Sequence, residues 1–78
     1  MALINSSPSH QNEAITIVDE ISSTEYYIGI SVNSDNGSKP YWRIKKIYKV
    51  STVWKTAYPN GDQSYQYIWD DRLSYTYL

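Results

Sequence analysis

Cysteine and phenylalanine are both missing from this chain, and histidine occurs once. Without cysteine there is no disulfide, no thiolate metal site and no thiol nucleophile, so zinc ribbons and their relatives drop out. Without phenylalanine, an aromatic core has to come from the 9 tyrosines and 3 tryptophans. These rings carry a polar end, which places part of the set at a surface or an interface. No apolar stretch approaches the length needed to span a bilayer. The opening "MALINSSPSH" has neither a basic start nor an apolar run, so no signal peptide is expected and the chain is expected to stay in the cytoplasm that makes it. A net charge of −1 gives no global attraction to nucleic acid or to an anionic membrane. At 78 residues the chain is one domain at most, and a core that small leaves little reserve of stability.

What is present reads as strands. Residues 1–12 are rich in Ser, Asn and Gln around a short Ala2-Leu3-Ile4, and are expected to form a flexible arm that a partner could order; His10 lies in it. From Glu13 the pattern has period two, so residues 13–78 are expected to be a single β domain. Residues 24–32 place Tyr26, Ile28, Ile30 and Val32 on one row and Tyr27, Gly29 and Ser31 on the other, a half-buried strand. Residues 41–50 place Trp42, Ile44, Tyr48 and Val50 inward, and a bulge near Lys45-Lys46 would return Ile47 to the core. Asn60-Gly61 is a two-residue hairpin signal, followed by a return strand carrying Tyr65, Tyr67 and Trp69. Asp70-Asp71-Arg72 then makes a corner, fixed by an Asp71–Arg72 ion pair, before a last strand with Leu73, Tyr75 and Tyr77 in line. The expected architecture is all-β: a small antiparallel sandwich or partly open barrel of about six strands.

Little here resembles an active site. Carboxylates come in ones and twos, and neighbours on a strand such as Asp70 and Asp71 point to opposite faces, so no catalytic, cofactor or metal residue is assigned. The loop at Asn33–Pro40 lacks the twelfth-position carboxylate of a calcium loop. The sequons at Asn5 and Asn36 matter only on a eukaryotic secretory route. Lys39, Arg43, Lys45, Lys46, Lys49 and Lys55 are six of the 7 cations, interleaved with Tyr41, Trp42, Tyr48 and Trp54 as in a stacking groove for single-stranded nucleic acid. The balance goes the other way, because Asp19, Glu20, Glu25, Asp70 and Asp71 can neutralise them from neighbouring strands. The row Tyr65, Tyr67, Trp69 has the alternation of a sugar-stacking platform and equally that of a core. Assembly fits most simply: a tyrosine-rich domain with an arm and a terminal strand is suited to docking edge to edge.

Taken together, "YWRIKKI" at 41–47, Gly61, "IWDDR" at 68–72 and Ser74-Tyr75 resemble a group of short proteins encoded by tailed bacteriophages, often found among virion structural genes. The pattern falls on Tyr27, Ile28, Gly29, Trp42, Ile44, Ile47, Gly61, Ile68, Trp69, Asp70, Asp71, Arg72 and Tyr75, within residues 24–78; Trp54 and Tyr58-Pro59 depart from it. The resemblance implies a virion or tail-associated component made in the host cytoplasm, and no activity. The expected role is therefore structural, with contacts to other virion proteins and to copies of itself; a carbohydrate-binding module for host attachment is the alternative, and a small nucleic-acid- or regulatory-protein-binding domain the third reading. Trp42, Ile44, Trp54 and Trp69 are expected in the core, with Asp70, Asp71 and Arg72 fixing the last corner. Tyr75, Tyr77, Leu78, Leu3 and Ile4 are expected to meet the partner.

Overall fold

A computed structural model describes residues 15–32 and 37–78. Its strands are β1 (Ile15–Ser22), β2 (Glu25–Ser31), β3 (Trp42–Val50) and β4 (Val53–Ala57), joined in the order β1-β2-β3-β4 with every pair antiparallel. β-branched and aromatic residues fill these segments, and short polar turns punctuate them. Thr24 N–H donates to Ser22 Oγ (3.2 Å) in the first turn, and Ser51 takes positive φ (59°) in the β3–β4 turn. A 3-10 helix spans Trp69–Ser74.

Residues opposed across an antiparallel pair point to the same side, so the register sorts the side chains into two faces. The first holds Ile17 and Asp19 of β1, Tyr27, Gly29 and Ser31 of β2, Trp42, Ile44 and Lys46 of β3, and Ala57 of β4. Residues 58–78 cross this face and cover it. Tyr58 and Leu78 exchange backbone hydrogen bonds (3.1 and 2.9 Å), as do Trp42 and Tyr67 (2.9 and 3.0 Å), at the end of β3 that β4 does not reach. The core is Tyr27, Trp42, Ile44 and Trp69, with Ile17, Tyr67, Tyr75 and Tyr77 packed around it. Trp69 sits directly over Gly29: a Cβ there would lie 2.4 Å from Trp69 Cε3 and 3.1 Å from Trp42 Cε3.

The described residues thus form one open four-stranded sheet with an irregular cover, where about six strands in a sandwich or barrel were expected. The Asn60-Gly61 turn does form, with both residues at positive φ (53° and 73°), but no hairpin strand follows it. Pro59 lacks an N–H, and Asn60 N–H donates instead to Thr76 O (2.7 Å). Asp62 then gathers the chain, accepting from Tyr67 Oη (2.8 Å), Ser64 N (2.9 Å), Gln66 Nε2 (2.6 Å) and Ser64 Oγ (2.9 Å). Residues 64–69 and 75–78 consequently make only isolated bridges, at Tyr67 and Tyr77. Nor is there a bulge at Lys45-Lys46: the β2–β3 register runs unbroken from Glu25↔Tyr48 to Ser31↔Trp42. Ile47 goes to the second face, where Ile28 and Ile30 already provide apolar company.

The hydrogen bond from Tyr67, with those from Ser64 and Gln66, lowers the Asp62 carboxyl to about 2. A depressed carboxylate contributes stability that is complete above its ordinary value near 4 and disappears as pH falls through about 2. Asp62→Asn should therefore be less stable than the parent at pH 7, and the gap between their urea midpoints should close between pH 4 and 2. A gap independent of pH would show that the carboxylate's charge plays no part in holding this turn.

Candidate functional site

The second face of the sheet carries Thr16, Val18 and Glu20 of β1, Tyr26, Ile28 and Ile30 of β2, Arg43, Lys45, Ile47 and Lys49 of β3, and Trp54 and Thr56 of β4. No strand or helix of the described residues packs on it. Val18 is 59% exposed and Trp54 47%, while Tyr26, Ile28, Ile30 and Ile47 are only half-buried. Trp54 leans across the end of β3 to place its ring 6.0 Å from that of Tyr26. Beside this pair is a recess of about 310 Å³, lined by Val18, Glu20, Ser22, Ser23, Tyr26 and Trp54. Tyr58 joins the same surface beneath Arg43, whose guanidinium carbon lies 5.7 Å from the ring centre.

The pleat also separates the charges. Asp19 bonds Arg72 (2.8 Å to Nη2) and Glu25 bonds Lys46 (3.3 Å), and both pairs belong to the covered face. The cross-sheet neutralisation expected from composition is met at Lys46, by Glu25, and not at Arg43, Lys45 or Lys49. Lys45 and Lys49 have no ion-pair partner among the described residues. Lys49 Nζ lies over the Trp54 ring (5.7 Å), and Arg43 Nη2 donates to Gln63 Oε1 (3.0 Å). Hydrogen bonding to the Tyr65 hydroxyl, with that of Tyr58 adding to it, raises the Arg43 pKa still further. Of the carboxylates, Glu20 alone among the described residues is on this face.

Several expected site residues lie elsewhere. Trp54, assigned to the core, is on the open face, because β4 turns the row of Trp54 and Thr56 away from the cover. Tyr75 and Tyr77, assigned to a partner, point inward instead. The Tyr75 hydroxyl accepts from Ile68 N (2.9 Å) and its ring stands edge-on to Tyr67. Tyr77 packs on Tyr27 and donates to Arg72 O (2.7 Å), and burial pushes its hydroxyl up strongly. Leu78 is 72% exposed, whereas Leu3, Ile4, the arm and His10 fall outside the described residues. Trp42, Ile44 and Trp69 are buried. Asp70 and Asp71 are exposed on the 3-10 helix, and Arg72 pairs with Asp19 of β1 where Asp71 was expected; its guanidinium also lies 4.6 Å over the Trp69 ring. The Tyr65-Tyr67-Trp69 row is no sugar platform, since Trp69 is in the core and Tyr67 is bound to Asp62.

No protein-family model, curated protein or solved structure matches the chain. No group of three or more metal-ligating side chains exists among the described residues, and no helix in them is long and apolar enough to cross a membrane. The surfaces that remain are the open face and the outer edge of β1. Tyr26 and Val18 were missed as site residues because alternation marks two rows without saying which one the rest of the chain will cover.

Proposed function

We propose that this chain is a non-enzymatic structural component of a tailed-phage particle, in its head, neck or tail, and assembles by sheet extension at β1. The observation that supports this is the unequal treatment of the two sheet edges. β4 is five residues long, carries Lys55, and its continuation at Tyr58 and Asn60 is already paired with Leu78 and Thr76. Those are the devices by which proteins blunt an edge. β1 is less protected: it is eight residues long, lacks Lys and Pro, and has no strand on its outer side among the described residues. Its charges (Asp19, Glu20) and register shift (Glu20/Ser22) fall in its second half, leaving Ile15–Val18 without either. Such an edge pairs readily with a strand from another chain. A neighbour's strands added there would bring the sheet toward the fuller antiparallel sandwich or barrel that the residue pattern foretells. Partners are then other virion proteins and further copies of this chain; Leu78, expected at the contact, is paired with Tyr58 at the opposite edge of the sheet.

The test is quantitative mass spectrometry of purified particles from the source lysate. A fixed copy number in the tens to hundreds is expected. Ile15→Lys, at the exposed start of the edge, should reduce that number several-fold while leaving the melting temperature of the isolated chain almost unchanged. Removing residues 1–12 should likewise weaken incorporation without unfolding the domain. Absence of the chain from the particle would end this proposal.

A further inference from the structure

We infer that the open face of the sheet is a binding platform for single-stranded nucleic acid. This goes beyond the assembly proposal and uses a different surface from the β1 edge. Three observations converge on it. First, the pleat brings Tyr26, Trp54 and Tyr58 onto one surface, with Trp54 47% exposed and its ring beside an open recess. Bases stack on such rings whatever their identity. Second, Arg43, Lys45 and Lys49 run along β3 through the middle of the same face. Asp19 and Glu25, the carboxylates placed to neutralise them, are engaged by Arg72 and Lys46 on the opposite face. A chain of net charge −1 therefore presents a locally cationic surface, which its overall balance conceals. Third, rings and cations interleave: Lys49 lies 5.7 Å from the Trp54 ring centre and Arg43 5.7 Å from that of Tyr58, so a base seated on either ring has a cation within reach of its phosphate.

The same charges select the occupant. A second copy stacked face to face would press one β3 row against another, bringing Arg43, Lys45 and Lys49 of both chains into one dry layer. Only Glu20 on each side could offset them, and like charges so placed cost several kcal/mol. An anionic partner replaces that repulsion with attraction, and a polyanion with exposed π-faces uses the rings as well. The recess adds a modest preference. Glu20 at its rim is a hydrogen-bond acceptor, suited to the exocyclic amine of a base seated beside Tyr26 and Trp54.

The experiment uses the full chain and a fluorescein-labelled deoxycytidylate oligomer of roughly 15 nucleotides, whose bases carry the exocyclic amine, read by anisotropy and by tryptophan fluorescence. Binding is expected in the micromolar range, with a log–log salt slope of about −2 for three phosphate contacts, or roughly a 20-fold loss between 50 and 200 mM NaCl. Trp42 and Trp69 are buried, so quenching should come from Trp54 and vanish in Trp54→Ala, which should also bind about tenfold more weakly. Lys45→Glu and Lys49→Glu should each weaken binding about tenfold or more. Lys55→Glu makes the same charge change on the opposite pleat and should alter it less than twofold. Near-UV circular dichroism confirms folding, and Lys49, at an exposed position, keeps the test sound if a change at half-buried Lys45 perturbs the sheet.

Three results would overturn the inference. One is no anisotropy change at about 100 µM protein in low salt, weaker than ordinary non-specific binding. Another is equal loss in Lys55→Glu and Lys49→Glu, which would place the contact off this face. The third is poly-L-glutamate bound as tightly as the oligonucleotide, which would make the partner an acidic protein surface. None of these bears on the copy number in the particle, so the two proposals fail separately.

Discussion

Gly29→Ala is expected to remove a large share of the stability of this domain. The methyl group would enter a space already filled by the Trp69 ring, 2.4 and 2.6 Å from two of its carbons, with Trp42 at 3.1 Å behind it. Neither ring has room to retreat. Trp42 is 1% exposed and wedged at 5.9 Å from Trp69, and Trp69 is held from above by the Arg72 guanidinium. Overpacking a tight core costs about 1–3 kcal/mol, occasionally more, and this contact belongs at the upper end. A domain of this size has roughly 4–10 kcal/mol in total. The melting temperature should fall by roughly 10–20 °C, and Gly29→Val should not fold at all. A midpoint within a few degrees of the parent would show that Trp69 does not occupy the space above Gly29.

Trp69→Ala is the converse experiment and should be at least as severe. It takes a buried indole out of the core, which costs about 3–5 kcal/mol. It also removes the surface on which Arg72 lies, and with it part of the link from the 3-10 helix to Asp19 of β1. The two substitutions should not add. Once the indole is gone, the methyl group of Gly29→Ala loses its two worst contacts and fills part of the hole. It keeps only the 3.1 Å approach to Trp42, which can now shift by a few tenths of an ångström into the vacated space. The double variant should thus be no worse than Trp69→Ala alone, a coupling of about 1–3 kcal/mol. Strict additivity in urea denaturation would mean that the two residues do not touch, and the cover over the first face would have to be redrawn.

That pairing also marks where the sequence became hard to read. Alternation in residues 25–31 separates Tyr26, Ile28 and Ile30 from Tyr27, Gly29 and Ser31, and hydropathy favours burying the aliphatic row. The structure buries the other row, because Gly29 and Ser31 are small enough to receive Trp69 and Trp42 from distant parts of the chain. The same inversion exposes Trp54 and gathers Arg43, Lys45 and Lys49 on the uncovered side. Beyond Asn60-Gly61 the residues alternate well enough for two more strands. A proline without an N–H and an aspartate that collects four hydrogen bonds turned them into an irregular cover.

A small β-rich domain without disulfide or thiolate metal site follows from the residues alone, because missing residue types and period-two alternation are local facts. The Asn60-Gly61 turn and the inward placing of Trp42 and Ile44 are equally legible there, since turn chemistry and side-chain volume act within a few residues. Which face of the sheet would be covered was decided only by the tertiary structure, and so was the pairing of Arg72 with Asp19 across 53 positions. Both depend on where residues 58–78 come to rest. That rests on contacts between residues far apart in the chain, the indole of Trp69 over Gly29 and the backbone pairs Trp42–Tyr67 and Tyr58–Leu78, which no alternation along the chain encodes.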